Sequence, residues 1–287
     1  MKAQIDEKYS GNLVQTQEFG IIDCHMHLIG PQQQSPFSTG HQDKFQPWSA
    51  AQYLEHATPL GISHCIITQT PFYGLDNSNL LHALAQLSDK ARGIAVVNEH
   101  LSAQAASALQ KAGVVGANFY LFENGELDWH CVAPTNERIQ SLNWQTQLQF
   151  NGREIAERYD DLKGLKGNVV IDHIGKFQPS VKLDDPNFKA LCNLLETGRF
   201  YVKLSAPYES SDSPSPFTKD AGKLAAFLIA YYPDYLIWGS NWPHLGLQNT
   251  SDWPNPQSWL ECLGQWGAST SVSEKILTNN AKALFDF

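Results

Sequence analysis

Residues 21–27 read Ile-Ile-Asp-Cys-His-Met-His, a short apolar run that ends in two histidines. The run predicts a β-strand over residues 20–24 that is covered on both faces, because it is short and lacks helical spacing. Side chains two residues apart on a strand point to the same side, so His25 and His27 are predicted to project together from its end. A doubly wound sheet would carry a glycine-rich phosphate loop here instead. The segment therefore favours a barrel with its chemistry at the carboxyl ends of the strands.

Apolar runs and amphipathic segments alternate along the rest of the chain. The predicted strands are 20–24, 65–69, 93–97, 116–121, 145–148, 169–172, 200–204 and 236–239. The predicted helices are 50–58, 79–87, 103–111, 137–143, 153–162, 188–197, 219–231 and 272–285. This alternation predicts an α/β fold with a parallel sheet, and the number of strands favours a single-domain (β/α)₈ TIM barrel. Residues 1–19 are predicted to be a polar N-terminal extension, and residues 20–287 the barrel domain.

The composition argues against several classes of protein. The 287 residues carry a formal net charge of −9 without a dense basic run, which disfavours a nucleic-acid-binding role. No apolar run reaches the roughly 18 residues that span a bilayer, so no membrane association is expected. The five cysteines are scattered and form no Cys-x-x-Cys pair, which suits a reducing cytoplasm. Cys24 is interpreted as a packing residue, because strand alternation should point it away from the two histidines.

A second apolar strand also ends in a histidine. Residues 170–176 read Val-Ile-Asp-His-Ile-Gly-Lys, so that Asp172 and His173 close the strand before a glycine turn. Charged or polar groups at the end of a buried strand are costly unless they are used. His173 is predicted to meet His25 and His27 across the mouth of the barrel. Lys176 is either a ligand for a substrate carboxylate or an ordinary loop lysine.

The last predicted strand ends in residues 238–244, Trp-Gly-Ser-Asn-Trp-Pro-His. Two tryptophans and a proline around a glycine turn predict a rigid and partly apolar wall. Asn241 is expected to face the pocket. His244 can be a pocket base, a loop residue or a residue that acts through another side chain, and we favour the last interpretation.

Together these three strand ends resemble the amidohydrolase-2 family, and above all its lactonase branch. That branch includes 2-pyrone-4,6-dicarboxylate lactonase, sugar-acid lactonases and a galactarolactone isomerase. The resemblance extends from Ile21 to Phe285, and it implies that His25, His27 and His173 surround and polarise the scissile carbonyl. Many family members use equivalent histidines to bind a divalent metal such as zinc or manganese. The lactonase branch is noted for members that need none, so no metal is favoured here; if one binds, the same three histidines are its expected ligands.

The sequence departs from the family at one catalytic position. Where the family has an aspartate that takes a proton from the attacking water, this chain has Asn241. An amide cannot accept and keep a proton at neutral pH. Hydrolysis of a lactone is the family default, and isomerisation of a 1,5- to a 1,4-lactone is the alternative, because a substrate hydroxyl can then replace water. A non-catalytic binding protein and a metal-dependent hydrolase or decarboxylase are further alternatives.

The predicted substrate pocket also differs from the pyrone lactonase pattern. That pattern uses arginines to bind two carboxylates, whereas here Glu209 follows Tyr208 and only Lys176 keeps a positive charge. A polyhydroxylated sugar-acid lactone or organic acid with one carboxylate is the expected ligand. The predicted substrate-binding residues are Lys176, Gln69, Tyr73, Asn118, Asn124, Tyr208 and His244. The sequence does not indicate an oligomeric state.

Overall fold

The computed structural model describes residues 20–31, 34, 36–38, 46–122, 127–213, 217, 219–247 and 249–287, so the predicted extension 1–19 lies outside the described residues. Eight parallel strands form one sheet in chain order. The strands are β1 Ile21–Met26, β2 Ile62–Thr68, β3 Ala91–Ala95, β4 Val114–Tyr120, β5 Gln145–Gln149, β6 Val169–Ile171, β7 Phe200–Leu204 and β8 Leu236–Trp238. Each overlaps a predicted strand, and the predicted (β/α)₈ barrel is confirmed.

Helices connect successive strands and cover the outside of the barrel. They are α1 Ala50–Ala57, α2 Ser78–Leu87, α3 Ala103–Lys111, α4 Trp129–Ile139, α5 Tyr159–Gly164, α6 Pro186–Leu195, α7 Asp220–Tyr231, α8 Pro256–Gln265, α9 Thr270–Glu274 and α10 Asn280–Phe285. Side chains of Ser49, Ser102 and Asp185 accept free N–H groups in the first turns of α1, α3 and α6. Of the helices described, none has the length and apolar character needed to cross a membrane.

Several helices differ from their predicted bounds. α4 begins at Trp129 because the Asp128 side chain accepts the His130 N–H, and Pro134 lies inside the helix. The predicted helix 153–162 is a short 3-10 turn followed by the later helix α5. α8 was not predicted, although the Asn255 side chain caps it. The predicted last helix 272–285 is divided into α9, a π-helical segment and α10.

The interior of the barrel has an apolar layer that α10 covers. The layer contains Ile22, Cys24, Ile66, Ile94, Val170 and Ile237 from the strands, with Leu284 and Phe285 from α10. Complete burial of such a side chain contributes roughly 1.5–3 kcal/mol to folding. Cys24 lies in this layer, as expected for a packing residue. The layer is a stable base for the polar side chains of the site.

Strands β1 and β8 meet at their carboxyl ends. The His27 N–H donates to the Trp242 carbonyl at 2.8 Å, and the Asn241 N–H donates to the His25 carbonyl at 2.8 Å. These bonds join the two predicted histidines directly to the loop after β8. The closure of the barrel therefore also fixes the relative positions of candidate site residues.

A buried carboxylate stabilises the same junction. Asp23 accepts hydrogen bonds from the Ser240 N–H at 2.8 Å, the Ser240 hydroxyl at 2.6 Å and the Tyr53 hydroxyl at 3.0 Å. Burial raises the pKa of Asp23, and the hydrogen bonds from Ser240, His25 and Tyr53 act in the opposite direction. Hydrogen bonds to a charged group contribute about 1.5–3 kcal/mol each. Asp23 thus connects β1, α1 and the loop after β8.

Close packing of Gly239 against β1 predicts a stability effect. A Cβ atom at Gly239 would lie 2.6 Å from the His25 Cβ, so Gly239→Ala must displace β1. We expect the free energy of unfolding in urea to fall by about 1–3 kcal/mol, the usual cost of overpacking. Gly264→Ala in α8 is the matched control, because a Cβ there meets no atom within 4 Å. Equal stability of the two variants would contradict the close approach.

Candidate active site

Three histidines from distant parts of the chain lie together at the barrel mouth. The His25 and His27 Nε2 atoms are 3.2 Å apart. The ring centre of His25 is 4.8 Å from that of His27 and 4.8 Å from that of His173. His25 is 0% exposed, His27 is 7% exposed and His173 is 2% exposed, so His27 is the most accessible of the three. The structure therefore brings together the three imidazoles that the motifs singled out.

The rings of His27 and His173 are each oriented by a contact of the Nδ1 atom. The His27 Nδ1 lies 2.8 Å from the Thr68 carbonyl oxygen at the end of β2. The His173 Nδ1 lies 2.8 Å from the Ser205 hydroxyl just after β7. Such contacts fix the ring plane and leave Nε2 for the groups inside the site, which for His27 include the His25 Nε2.

The site keeps its imidazoles uncharged. The pKa of His27 is lowered to about 4, mainly by burial; the positive charge of Lys203 acts in the same direction, and hydrogen bonds with Thr68 and Asn241 act in the opposite direction. Burial, followed by the charge of Lys203, holds the pKa of His25 well below its usual value. Burial, followed by the charge of Lys176, does the same for His173. All three rings are therefore neutral at physiological pH, and each offers one N–H and one lone pair.

A buried lysine lies directly beneath the histidines. The Lys203 Nζ is 2.8 Å from the His25 Nδ1, 2.7 Å from the Gln147 Oε1 and 3.0 Å from the Asp172 Oδ1. The sequence motifs did not identify Lys203 or Gln147 as site residues. The available signal was a lysine inside the apolar strand Phe200–Leu204, since lysine is almost never fully buried unless it is paired.

Asn241 is part of a hydrogen-bonded chain in the loop after β8. Its Nδ2 donates to the Tyr208 hydroxyl at 2.8 Å, and this hydroxyl lies 2.9 Å from the His244 Nδ1. Burial lowers the pKa of His244 to about 3, so its ring is neutral beside the Tyr208 hydroxyl. The His244 side chain thus reaches the Asn241 side chain through Tyr208, while the His244 backbone N–H donates to the Asn241 carbonyl at 2.7 Å.

Lys176 is paired with a carboxylate at the rim of the site. Its Nζ lies 2.5 Å from the Glu209 Oε2 and 5.1 Å from the centre of the Phe122 ring. Both members of the ion pair are partly exposed. An incoming substrate carboxylate would have to compete with Glu209 for this ammonium.

The other predicted substrate-binding residues occupy different environments. Asn118 is fully buried, and its amide atoms have no hydrogen-bond partner among the described residues. The Gln69 Nε2 donates to the Asp76 carbonyl at 2.7 Å. The Tyr73 hydroxyl accepts the Gly30 N–H at 3.2 Å, within a separate aromatic cluster. Asn124 lies outside the described residues.

Unusual backbone geometry is concentrated around the site. Nine described non-glycine residues have positive φ, and six of them follow β6, β7 or β8. These are His173, Ile174, Lys176, Ala206, Asn241 and His244. Left-handed backbone at non-glycine positions costs of order 1–3 kcal/mol and is typical of sites where side-chain placement matters more than local stability.

Two surface cavities lie away from the histidines. One cavity of about 440 Å³ is lined by Leu75, Val97 and Leu109 among others, and one of about 500 Å³ by Trp129, Asp160 and Leu165 among others. Neither contains a residue of the histidine cluster or its hydrogen-bond partners. We therefore assign the candidate site by its chemistry rather than by cavity size.

The histidine cluster contains atoms that could ligate a divalent metal. Nitrogen and oxygen atoms of His25, Asp172 and His173 lie within 4.8 Å of one another. The Lys203 ammonium, however, contacts both the Asp172 carboxylate and the His25 Nδ1. A second cation beside this ammonium would be repelled, and the lone pairs that face it are already engaged. The arrangement does not fit a divalent ion that uses His25 and Asp172.

Comparisons with known proteins agree with the geometry. The chain is 27% identical over 267 residues to D-galactarolactone isomerase from Agrobacterium fabrum, covering 93% of this chain and 91% of that protein. It is 28% identical over 271 residues to 4-sulfomuconolactone hydrolase from Hydrogenophaga intermedia, covering 93% and 88%. An apo crystal structure of an Agrobacterium tumefaciens protein superposes with a TM-score of 0.88 at 26% identity, covering 93% of this chain and 94% of that one.

The family assignment rests on a match to almost the whole described barrel. The amidohydrolase family model matches residues 22–287, from the second residue of β1 to the C-terminal residue. This range includes His25, His27, His173 and Asn241. The chain belongs to the amidohydrolase-2 family.

Proposed function

We propose that this protein is an enzyme that acts at the ring carbonyl of a small lactone. The observation that carries the proposal is the convergence of three neutral, buried imidazoles, with the Nε2 atoms of His25 and His27 only 3.2 Å apart. The relatives whose names include a lactone isomerase and a lactone hydrolase support it. An enzyme is favoured over a binding protein, because backbone strain and a buried lysine are costly features for simple binding.

The imidazoles polarise the carbonyl in this proposal. Attack on a lactone carbonyl moves negative charge onto its oxygen. N–H donors that are already oriented in a buried site stabilise this charge without reorganisation, and removal of one such donor typically costs about 10²- to 10³-fold in rate. His25 and His173 are the proposed donors. Their neutrality matters, because a neutral ring can donate to the oxygen without first losing a proton.

The nucleophile is proposed to be a hydroxyl group of the substrate itself. Asn241 cannot act as a base, and its Nδ2 already donates to Tyr208. A hydroxyl on the same molecule needs less activation than water, because proximity supplies much of the rate. The hydroxyl oxygen bonds to the carbonyl carbon, its proton passes to the His27 Nε2, and the departing ring oxygen takes this proton. The net reaction is isomerisation of a 1,5-lactone to a 1,4-lactone, with no co-reactant.

Hydrolysis is the second candidate, and it is the family default. The specific observation in its favour is His27, whose neutral Nε2 can accept a proton from water as well as from a substrate hydroxyl. A pKa of about 4 makes His27 a weak base, which slows attack by water more than attack by a tethered hydroxyl. The two outcomes differ only in the nucleophile.

The proposed substrate is a polyhydroxylated lactone with no more than one carboxylate. Lys176 is the proposed partner of that carboxylate, and Glu209 already balances its charge. The buried Asn118 amide is the proposed partner of a substrate oxygen, because a buried polar group without a partner costs about 1–3 kcal/mol. The protein is proposed to need no metal and to reside in the cytoplasm, where its five free cysteines would stay reduced.

The first prediction from the proposed function concerns the products. A ¹³C-labelled sugar-acid 1,5-lactone incubated with the protein should give the 1,4-lactone before free acid, as followed by carbon NMR. A sample without protein corrects for spontaneous ring opening. Direct release of the acid, with no 1,4-lactone above the control, would show that the reaction is hydrolysis rather than isomerisation. No change in either lactone across a panel of sugar-acid lactones would remove the proposed function.

A second prediction concerns position 241. Asn241→Asp supplies a carboxylate that can accept a proton from water, and general-base catalysis contributes about 10²- to 10⁴-fold. We expect the ratio of acid to 1,4-lactone to rise, by up to about 10²-fold. Asn193→Asp is the control, because it adds the same charge on the exposed face of α6. An unchanged ratio in both variants would show that Asn241 does not decide the nucleophile.

A third prediction concerns the proton acceptor. In His27→Asn, the new amide can still donate to the Thr68 carbonyl, whereas the Nε2 atom is lost. We expect kcat/KM to fall by about 10²- to 10⁴-fold without loss of the folded state. His82→Asn on the exposed face of α2 is the matched control. Equal activity of both variants, with both folded by circular dichroism, would exclude His27 from the chemistry.

A further inference from the structure

The surroundings of the buried Lys203 constrain its hydrogen bonds. Lys203 is 0% exposed, and its Nζ lies within 3.0 Å of atoms from His25, Gln147 and Asp172. The Asp172 carboxylate and the Gln147 Oε1 can only accept, so they suit an ammonium. An ammonium has three donors and no acceptor, and the nitrogen that it contacts must therefore present a lone pair. This nitrogen is the His25 Nδ1, at 2.8 Å.

The tautomer of His25 follows from this contact. A neutral imidazole with a lone pair on Nδ1 carries its hydrogen on Nε2. His27 is constrained independently, because the Thr68 carbonyl can only accept and so requires a hydrogen on the His27 Nδ1. The His27 Nε2 then has a lone pair, and the 3.2 Å contact between the two Nε2 atoms is a hydrogen bond from His25 to His27. Lys203 and the Thr68 carbonyl thus fix the two tautomers separately, and the tautomers are compatible because one Nε2 donates and the other accepts.

We propose that Lys203 is a positioning residue that holds His25 in the Nε2–H tautomer, so that the N–H it donates to His27 in the resting protein can turn to the reacting carbonyl when substrate binds. The proposal rests on the proposed function for the identity of that acceptor. The same contact makes His25 a poor metal ligand, because its Nε2 has no lone pair and its Nδ1 is occupied. Lys203 therefore directs the site towards carbonyl polarisation by hydrogen bonding.

Loss of Lys203 should reverse the tautomer. Without the ammonium, the charged group nearest to the His25 Nδ1 is the Asp172 Oδ2, now 3.7 Å away. A carboxylate requires a hydrogen on Nδ1, which moves the lone pair of His25 to Nε2. In Lys203→Met, His25 would then resemble the carboxylate-oriented histidines that bind metals in other proteins.

The experiment is long-range ¹H–¹⁵N NMR of ¹⁵N-histidine-labelled protein without substrate, which separates ring nitrogens that carry a hydrogen from those with a lone pair. His25 is assigned by the signals lost in His25→Gln. We expect Nε2–H in the wild type and a loss of this pattern in Lys203→Met, with Lys189→Met on the exposed face of α6 as the control. An Nδ1–H tautomer in the wild type, or an unchanged pattern in Lys203→Met, would overturn the proposal.

Zinc binding gives a second readout that does not require turnover. In equilibrium dialysis with zinc, Lys203→Met should bind one ion that the wild type does not, and the added His25→Gln change should abolish it. Zinc bound by the wild type through His25, or no gain in Lys203→Met, would overturn the metal part of the proposal. A correct tautomer with no lactone turnover would instead disprove only the proposed function, because both measurements use the resting protein.

Discussion

The junction of β1 with β8 is the constraint on which the site depends. Three of the hydrogen bonds to the buried Asp23 come from Ser240 and Tyr53, so one carboxylate joins the first strand, the first helix and the loop after the last strand. The backbone on either side of it carries His25 and Asn241. A barrel that opened here would separate the imidazoles from Asn241, while most of its apolar core could stay packed.

Above the apolar layer, the barrel interior is polar, and burial of its polar groups costs free energy unless they are paired. A buried lysine would cost several kcal/mol if it were unpaired. Here Lys203 contacts a carboxylate, an amide oxygen and an imidazole nitrogen, so each of its donors has a nearby acceptor. The strained backbone and the buried charges at the level of the histidines therefore lower the stability of the fold. Burial of the apolar layer and α10 offsets that cost.

The sequence predicted the barrel and the histidines well, because both depend on local patterns. A His-x-His pair at a strand end needs only strand alternation to place His25 beside His27. Lys203 was not identified, since its importance depends on which strands are opposite each other across the barrel. The partner of Tyr73 was likewise not predictable from local pattern, because tertiary packing brings its hydroxyl to the Gly30 N–H. Helix α8 was not predicted, although its apolar residues have helical spacing and Asn255 caps it.

The charges of the site explain why orientation matters more than electrostatic attraction. Lys203 is balanced by Asp172, and Lys176 by Glu209, so the two cations nearest to the histidines have no excess charge to attract a dianion. The histidines themselves are neutral. Apart from the contact proposed between Lys176 and a single carboxylate, a substrate must then be recognised by dipoles and hydrogen bonds, which depend steeply on angle and distance. A ring with its N–H on the wrong nitrogen would present a lone pair to the carbonyl oxygen and repel it. In a site of this kind, the group that sets the tautomer is as important as the imidazole that touches the substrate.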